Sequence, residues 1–122
     1  MNEVRFTVEE ANALLPRVAE MLERLRAAQR VMAERHDEVM TSTAGNGGGG
    51  PGKEFLEASQ EAGKLGTEIQ QLGIVVRDPE TGLIDFPSER DGEEIYLCWR
   101  LGEDAVAWWH PTDTGFAGRQ PL

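Results

Sequence analysis

Apolar residues in the first third of the chain fall at Leu14, Val18, Met21, Leu25, Ala28 and Met32, with Val39 beyond them. Steps of three and four place them on one stripe of a helix. Leu15 and Leu22 widen that stripe into a face suited to a globular bundle. Upstream, Phe6-Thr7-Val8-Glu9-Glu10 has the form of a capping box, in which Thr7 accepts from a first-turn N–H and Glu10 reaches back to the N–H of Thr7. Helix one is therefore predicted over residues 6–40. Pro16 removes one helical hydrogen bond and crowds the carbonyl of Asn12, which predicts a kink, or a short first helix ending near Leu15. Phe55, Ala58, Ala62, Leu65, Ile69 and Leu72 repeat the spacing and predict helix two over residues 53–72. Its Ala58, Ala62, Gly63 and Gly66 are small enough to let another backbone approach. Gly73 should end it in a left-handed conformation, with Ile74 folding back. Between the helices, residues 41–52 form a Gly-rich stretch expected to be a flexible connector. A phosphate-cradling loop does not fit, because Gly52-Lys53 is followed by Glu54 and no strand precedes it.

From Ile74 the period changes to that of strands. Ile74-Val75-Val76-Arg77 is followed by the turn Asp78-Pro79-Glu80-Thr81-Gly82, then by Leu83-Ile84-Asp85-Phe86, with Pro87 expected to stop the pairing. Asp91-Gly92 marks a tight turn. From Glu94 to Leu101 alternation is strict: Ile95, Leu97, Trp99 and Leu101 face one way, and Glu94, Tyr96, Cys98 and Arg100 the other. Gly102-Glu103-Asp104 turns the chain into a fourth strand, Ala105 to His110. The predicted architecture is α+β: an antiparallel two-helix hairpin packed on a four-stranded antiparallel β-meander over residues 74–110, with a C-terminal tail over 111–122. The 122 residues suit one domain.

Composition narrows the function classes. The net charge is −10, and residues 53–122 hold 6 Lys/Arg against 14 Asp/Glu. Such a surface repels phosphates, so nucleic acid is not an expected partner. No apolar run has the length of a membrane span, so no membrane partner is expected, and Met1 to Arg5 lacks the order of a secretion signal. A single cysteine cannot form an internal disulfide and suits a reducing compartment.

Several segments together resemble a known family. They are Phe6-Thr7-Val8-Glu9-Glu10-Ala11-Asn12-Ala13-Leu14-Leu15-Pro16, Gly73-Ile74-Val75-Val76-Arg77-Asp78, Leu83-Ile84-Asp85-Phe86-Pro87, Tyr96-Leu97-Cys98-Trp99-Arg100, Trp108-Trp109-His110 and Gly115 to Leu122. The chain is similar in these to a family of small bacterial proteins known as domain of unknown function 2203. The resemblance covers nearly everything except the Gly-rich stretch. It implies a bacterial cytoplasmic protein and transfers no catalytic residue.

Candidate chemistry lies in the last third, which holds all three Trp, the only Tyr and the only Cys. Cys98 and His110 would make an activated thiolate if they met. The register that pairs Leu101 with Val106 aligns the apolar residues on one side and sets Cys98 opposite Trp109, with His110 on the other face; a slip of one residue puts Cys98 and His110 on the same face. The first register is preferred, and it makes Cys98 a sheltered residue. A metal set from Cys98, His110 and Asp113 has no recognised ligand spacing, so neither metal nor cofactor is expected. His36 reads as a solvated helix residue. In the preferred register Tyr96, Arg100 and Trp109 share a face with the character of an interface hot spot, with Arg100 stacked on Tyr96 or Trp109 or paired with an acid. The tail is expected to fold back as a lid, Phe116 inserted against the sheet and Arg119 bonded to a carboxylate such as Asp85 or Asp91. The leading reading is a non-catalytic interaction module forming a homo-oligomer, a dimer first, because Leu15, Leu22 and the main stripe exceed what one small sheet covers. The alternative is an enzyme or small-ligand binder with a pocket between tail and sheet, using Tyr96, Cys98, Arg100, Trp109, His110, Phe116 and Arg119.

Overall fold

The computed structural model of the chain describes residues 4–41 and 51–122. Two helices come first, α1 (Val8–Thr41) and α2 (Pro51–Gln71). The capping box forms as its residues dictate: Thr7 N–H donates to Glu10 Oε1 at 2.8 Å, and Glu10 N–H to Thr7 Oγ1 at 3.1 Å. α1 does not end near Leu15 but runs through Pro16. Leu15, Val18 and Leu22, on both sides of the proline, are buried in one core, which holds the helix across its missing bond. The connector expected over 41–52 lies outside the described residues except at its ends, which are helical. Gly73 takes φ +92° just past α2, with Ile74 buried after it. Among the described residues no helix is long and apolar enough to cross a membrane.

The fold is α+β, with one antiparallel sheet whose five strands lie in chain order: β1 (Val75–Asp78), β2 (Leu83–Arg90), β3 (Glu93–Arg100), β4 (Trp108–Pro111) and β5 (Gln120–Pro121). Asp91 and Gly92 have φ +53° and +81°, the two positive angles that a two-residue hairpin between right-twisted strands requires. One face of the sheet meets the helices. Ile84, Phe86, Ile95, Leu97 and Trp99 join Ala11, Leu15, Val18, Leu22, Leu65 and Ile69 in a single core, with the Phe6 ring edge-on to Phe86. Leu15 and Leu22 are thus interior residues, contrary to the expectation that they form surplus apolar surface.

Three strand expectations need correction. Pro87 does not stop β2: it pairs with Tyr96, and the strand continues to Arg90. Phe6 N–H donates to the Pro87 carbonyl at 2.8 Å. In a strand the N and O of one residue point the same way, so the missing N–H of Pro87 faces the edge that Phe6 caps and no bond to β3 is lost. The sheet also has a fifth strand, because the tail returns to β4, where Trp108 pairs with Pro121 and Trp109 with Gln120.

The last correction concerns register. β4 begins at Trp108, not Ala105, and Cys98 lies opposite Trp108, Leu97 opposite Trp109 and Tyr96 opposite His110. The preferred alignment counted Val106 as a strand residue. Val106 is buried, but it reaches the core from the loop after β3, where its N–H donates to Asn12 Oδ1 at 2.8 Å. Glu103 shapes the same loop. Its N–H donates to the Arg100 carbonyl, its own carbonyl accepts from Trp99 Nε1 at 3.1 Å, and its Oε1 accepts from the Arg100 N–H at 2.8 Å.

Replacing Asn12 by Ala leaves the Val106 N–H without its acceptor. The expected cost is about 1–3 kcal/mol in denaturant titration. Hydrogen exchange should localise the change, with the Val106 amide protected in the parent protein and fast in Asn12→Ala.

Candidate functional site

Strand alternation leaves Asp85 on β2, Tyr96 and Cys98 on β3, and Trp108 and His110 on β4 on the face turned away from the helices. Asp85 pairs directly with Cys98, and Tyr96 with His110. The slipped register therefore forms, and Cys98 and His110 share a face after all. Asp85, Cys98 and His110 are buried, and their donor atoms lie within 4.8 Å of one another.

Hydrogen bonds fix the orientation of this cluster. His110 Nε2 lies 3.0 and 3.1 Å from the two oxygens of Asp85, and Nδ1 lies 2.8 Å from the Pro111 carbonyl. Both ring nitrogens face oxygen atoms, which fixes the plane of the ring. Asp85 Oδ2 also accepts from Arg77 Nε at 2.8 Å, a bond that raises the Arg77 pKa above its ordinary value. The Arg77 guanidinium lies 4.9 Å from the centre of the Tyr96 ring, and the Tyr96 and His110 rings are 5.5 Å apart. A buried carboxylate is costly alone; here the Arg77 guanidinium and the His110 ring engage it.

Cys98 is not activated by this company. Burial, then the negative charge of Asp85, pushes its thiol up to about 12, against a smaller opposing effect of Arg119. The thiol stays protonated at neutral pH, and His110 turns its Nε2 to Asp85 instead of serving as a base for sulfur.

The tail does fold back, but not as expected. Phe116, in a short 3-10 turn (Phe116–Gly118), is 39 % exposed and is not inserted. Arg119 takes the inner position, its guanidinium 4.7 Å from the Trp108 ring and 4.5 Å from that of Phe116. Its carboxylate partner is Glu103, at 2.6 Å, and neither Asp85 nor Asp91. A planar guanidinium stacks on an indole while its edge still bonds a carboxylate, which a phenyl ring cannot do. Arg119, Trp108 and Phe116 thus stack together where the tail returns to β4. Arg100 lies over Phe116 at 5.0 Å, not over Tyr96 or Trp109. Trp109 is on the helix-facing side, against the core and under Arg90 at 4.8 Å. His36 is on α1, 6.5 Å from the Phe55 ring, apart from this face.

Of the residues singled out in the sequence, Tyr96, Cys98 and His110 thus form one cluster, and Arg100, Phe116 and Arg119 a neighbouring one. Trp109 belongs to neither. Arg77, Glu103 and Trp108 were missed as site residues, and Asp85 was considered only as a carboxylate for Arg119, not as a partner of His110. The alternation of β2 does place Asp85 on the face opposite Ile84 and Phe86, and a charged residue inside an apolar strand was the available signal.

The model of a family described as an uncharacterized conserved protein, DUF2203, matches residues 5–122. The chain belongs to the DUF2203 family. That match spans the helical hairpin, the sheet and the tail, so the outer-face cluster lies wholly within the DUF2203 region. No curated protein and no solved structure matches the chain.

Two outcomes follow for this DUF2203 chain. The folded thiol holds its proton above the ordinary value of 9.0, so the native state binds that proton more tightly than the unfolded chain. Stability from this source is complete below pH about 9 and declines as pH rises towards about 12. Between pH about 9 and about 12 the parent should therefore lose stability faster with pH than Cys98→Ala in melting curves, and a thiol reagent should label native Cys98 slowly at neutral pH. Separately, Arg119→Ala uncovers Trp108. A red-shifted tryptophan emission and a loss of about 1–3 kcal/mol are expected from the missing stack and the charged hydrogen bond; unchanged emission would mean that the tail does not shield the indole.

Proposed function

We propose that the chain is a non-catalytic interaction module that self-associates as a dimer through the distal half of its helical hairpin. The observation that carries this reading is where the core ends. On α1 the last buried apolar residue is Ala28, and on α2 the one nearest the start is Ala58. Beyond them Val31, Met32, Val39 and Phe55 are half-buried, and Leu56 and Met40 are 57 % and 67 % exposed. With 34 residues α1 is roughly 50 Å long at about 1.5 Å per residue, more than a small sheet covers. Ion pairs from Arg24 to Glu61 and from Arg35 to Glu54, both 2.8 Å, keep the two helices together along this stretch. A shallow groove of about 360 Å³ runs between them, lined by Ala27, Ala28, Val31 and Ala58.

A second copy is the occupant that fits. Two antiparallel hairpins meeting along matched apolar stripes make a four-helix arrangement. The protonated state of Cys98 and the engagement of His110 by Asp85 support the non-catalytic part of the reading. A single cysteine suits action in the bacterial cytoplasm.

Sedimentation at high micromolar concentration should give a dimer. Leu56→Arg and Val31→Glu alter positions outside the core, so they should yield folded monomers whose melting no longer depends on concentration. A parent protein that sediments as a monomer would overturn the proposal.

A further inference from the structure

Asp85, Cys98 and His110 come from three neighbouring strands and present a carboxylate, a thiol and an imidazole to one buried point. We propose that this cluster binds a divalent transition-metal ion of borderline softness, zinc being the best fit.

The donor set decides the class of ion. Calcium and magnesium take oxygen ligands, whereas one sulfur, one nitrogen and one oxygen suit zinc. Bonds of about 2.0–2.3 Å to a tetrahedral zinc place the ligand atoms of neighbouring side chains roughly 3–4 Å apart. His110 Nε2 and Asp85 Oδ1 are already 3.0 Å apart, and all the donor atoms fall within 4.8 Å. Small side-chain rotations therefore bring the set onto one ion without moving the strands.

The surroundings of the cluster point the same way. The Pro111 carbonyl engages His110 Nδ1 and leaves Nε2 directed at Asp85, the outer-shell arrangement that orients metal-binding histidines. Arg77 Nε holds Asp85 Oδ2, which leaves Oδ1 for the ion. The nearby Arg119 is matched to its own anion, Glu103. Charge balances too. Thiolate and carboxylate together neutralise a divalent ion beside a neutral imidazole. When the ion enters, the thiol proton leaves to solvent together with any proton held on Nε2, so the coordinating atoms carry none. A coordinated thiol gives up its proton outright, whatever its affinity for it when free. Three protein donors leave the fourth tetrahedral position to water. In the sequence the three residues are separated by whole strands, so no short ligand spacing reveals them.

Cobalt is the probe, because thiolate ligation to Co²⁺ gives a charge-transfer band in the near ultraviolet and tetrahedral ligation gives intense visible bands. Cys98 is the one cysteine of the chain, so the charge-transfer band reports this site alone. Titration of the native protein should saturate both sets of bands at one equivalent, and zinc should displace them. Cys98→Ser should abolish the charge-transfer band, Asp85→Asn should weaken binding by at least about tenfold, and His36→Ala should change nothing. If the parent protein with stoichiometric Co²⁺ shows no charge-transfer band, or if Cys98→Ser retains it, the proposal fails, whatever the folding of the variants. The result is independent of the dimer, which is read by sedimentation.

Discussion

Glu103 binds four partners at once: the Arg100 carbonyl and N–H, the indole N–H of Trp99, and the guanidinium of Arg119. The outer face of the sheet depends on that knot. It folds the chain after β3 into a loop instead of a tight hairpin, which delays β4 to Trp108 and sets which residues of β3 and β4 lie opposite each other. A shift of one residue would reverse every side chain of β4. His110 would then enter the helix-facing side, Asp85 would keep only Arg77, and Trp109 would take the place of Trp108 under the tail. Asn12 secures the loop from the other side by accepting the N–H of Val106, so the register is locked by a helix that never touches the outer face.

The buried polar cluster follows from that register, and so does its cover. A carboxylate 2 % exposed persists only with donors around it, and the register supplies His110 while the irregularity in β1 brings Arg77. The tail then completes the face with a cation stacked on an indole, not with an apolar plug. The exchange of Phe116 for Arg119 has a plain physical origin. The available surface includes both a Trp ring and the Glu103 carboxylate, and only a guanidinium satisfies the two together.

What was legible in the sequence is local. Thr7 with Glu10, Gly73 after α2, Asp91-Gly92 between strands, the heptad-like stripe of α1 and the alternation of β3 each act over a few residues, and each formed. What was not legible depends on contacts across the chain. Pro87 continues its strand because Phe6 caps the edge it faces, a partner more than eighty residues away. The register hung on Val106, whose burial was rightly expected but wrongly ascribed to a strand. Asp85 was visible as a charge within an apolar strand, yet its meaning required knowing that His110 points to it. The family resemblance covered the same residues without assigning chemistry to any of them.

The same stripe on α1 serves two purposes, and the structure separates them. Its first half, through Ala28, is consumed by the sheet and α2; among the described residues its second half packs on α2. A charge at Leu22 therefore tests folding, whereas a charge at Val31 tests association, although both residues are on α1. The outer-face cluster lies on the far side of the sheet from all of this. Its residues share no partner with Val31 or Leu56, so substitutions at the two places should act additively. Coupling between them would require the core or the Asn12–Val106 bond to shift, since these connect the hairpin to the strands that carry the cluster. A dimer whose stability changed on adding zinc would thus report movement of those strands, and not a shared surface.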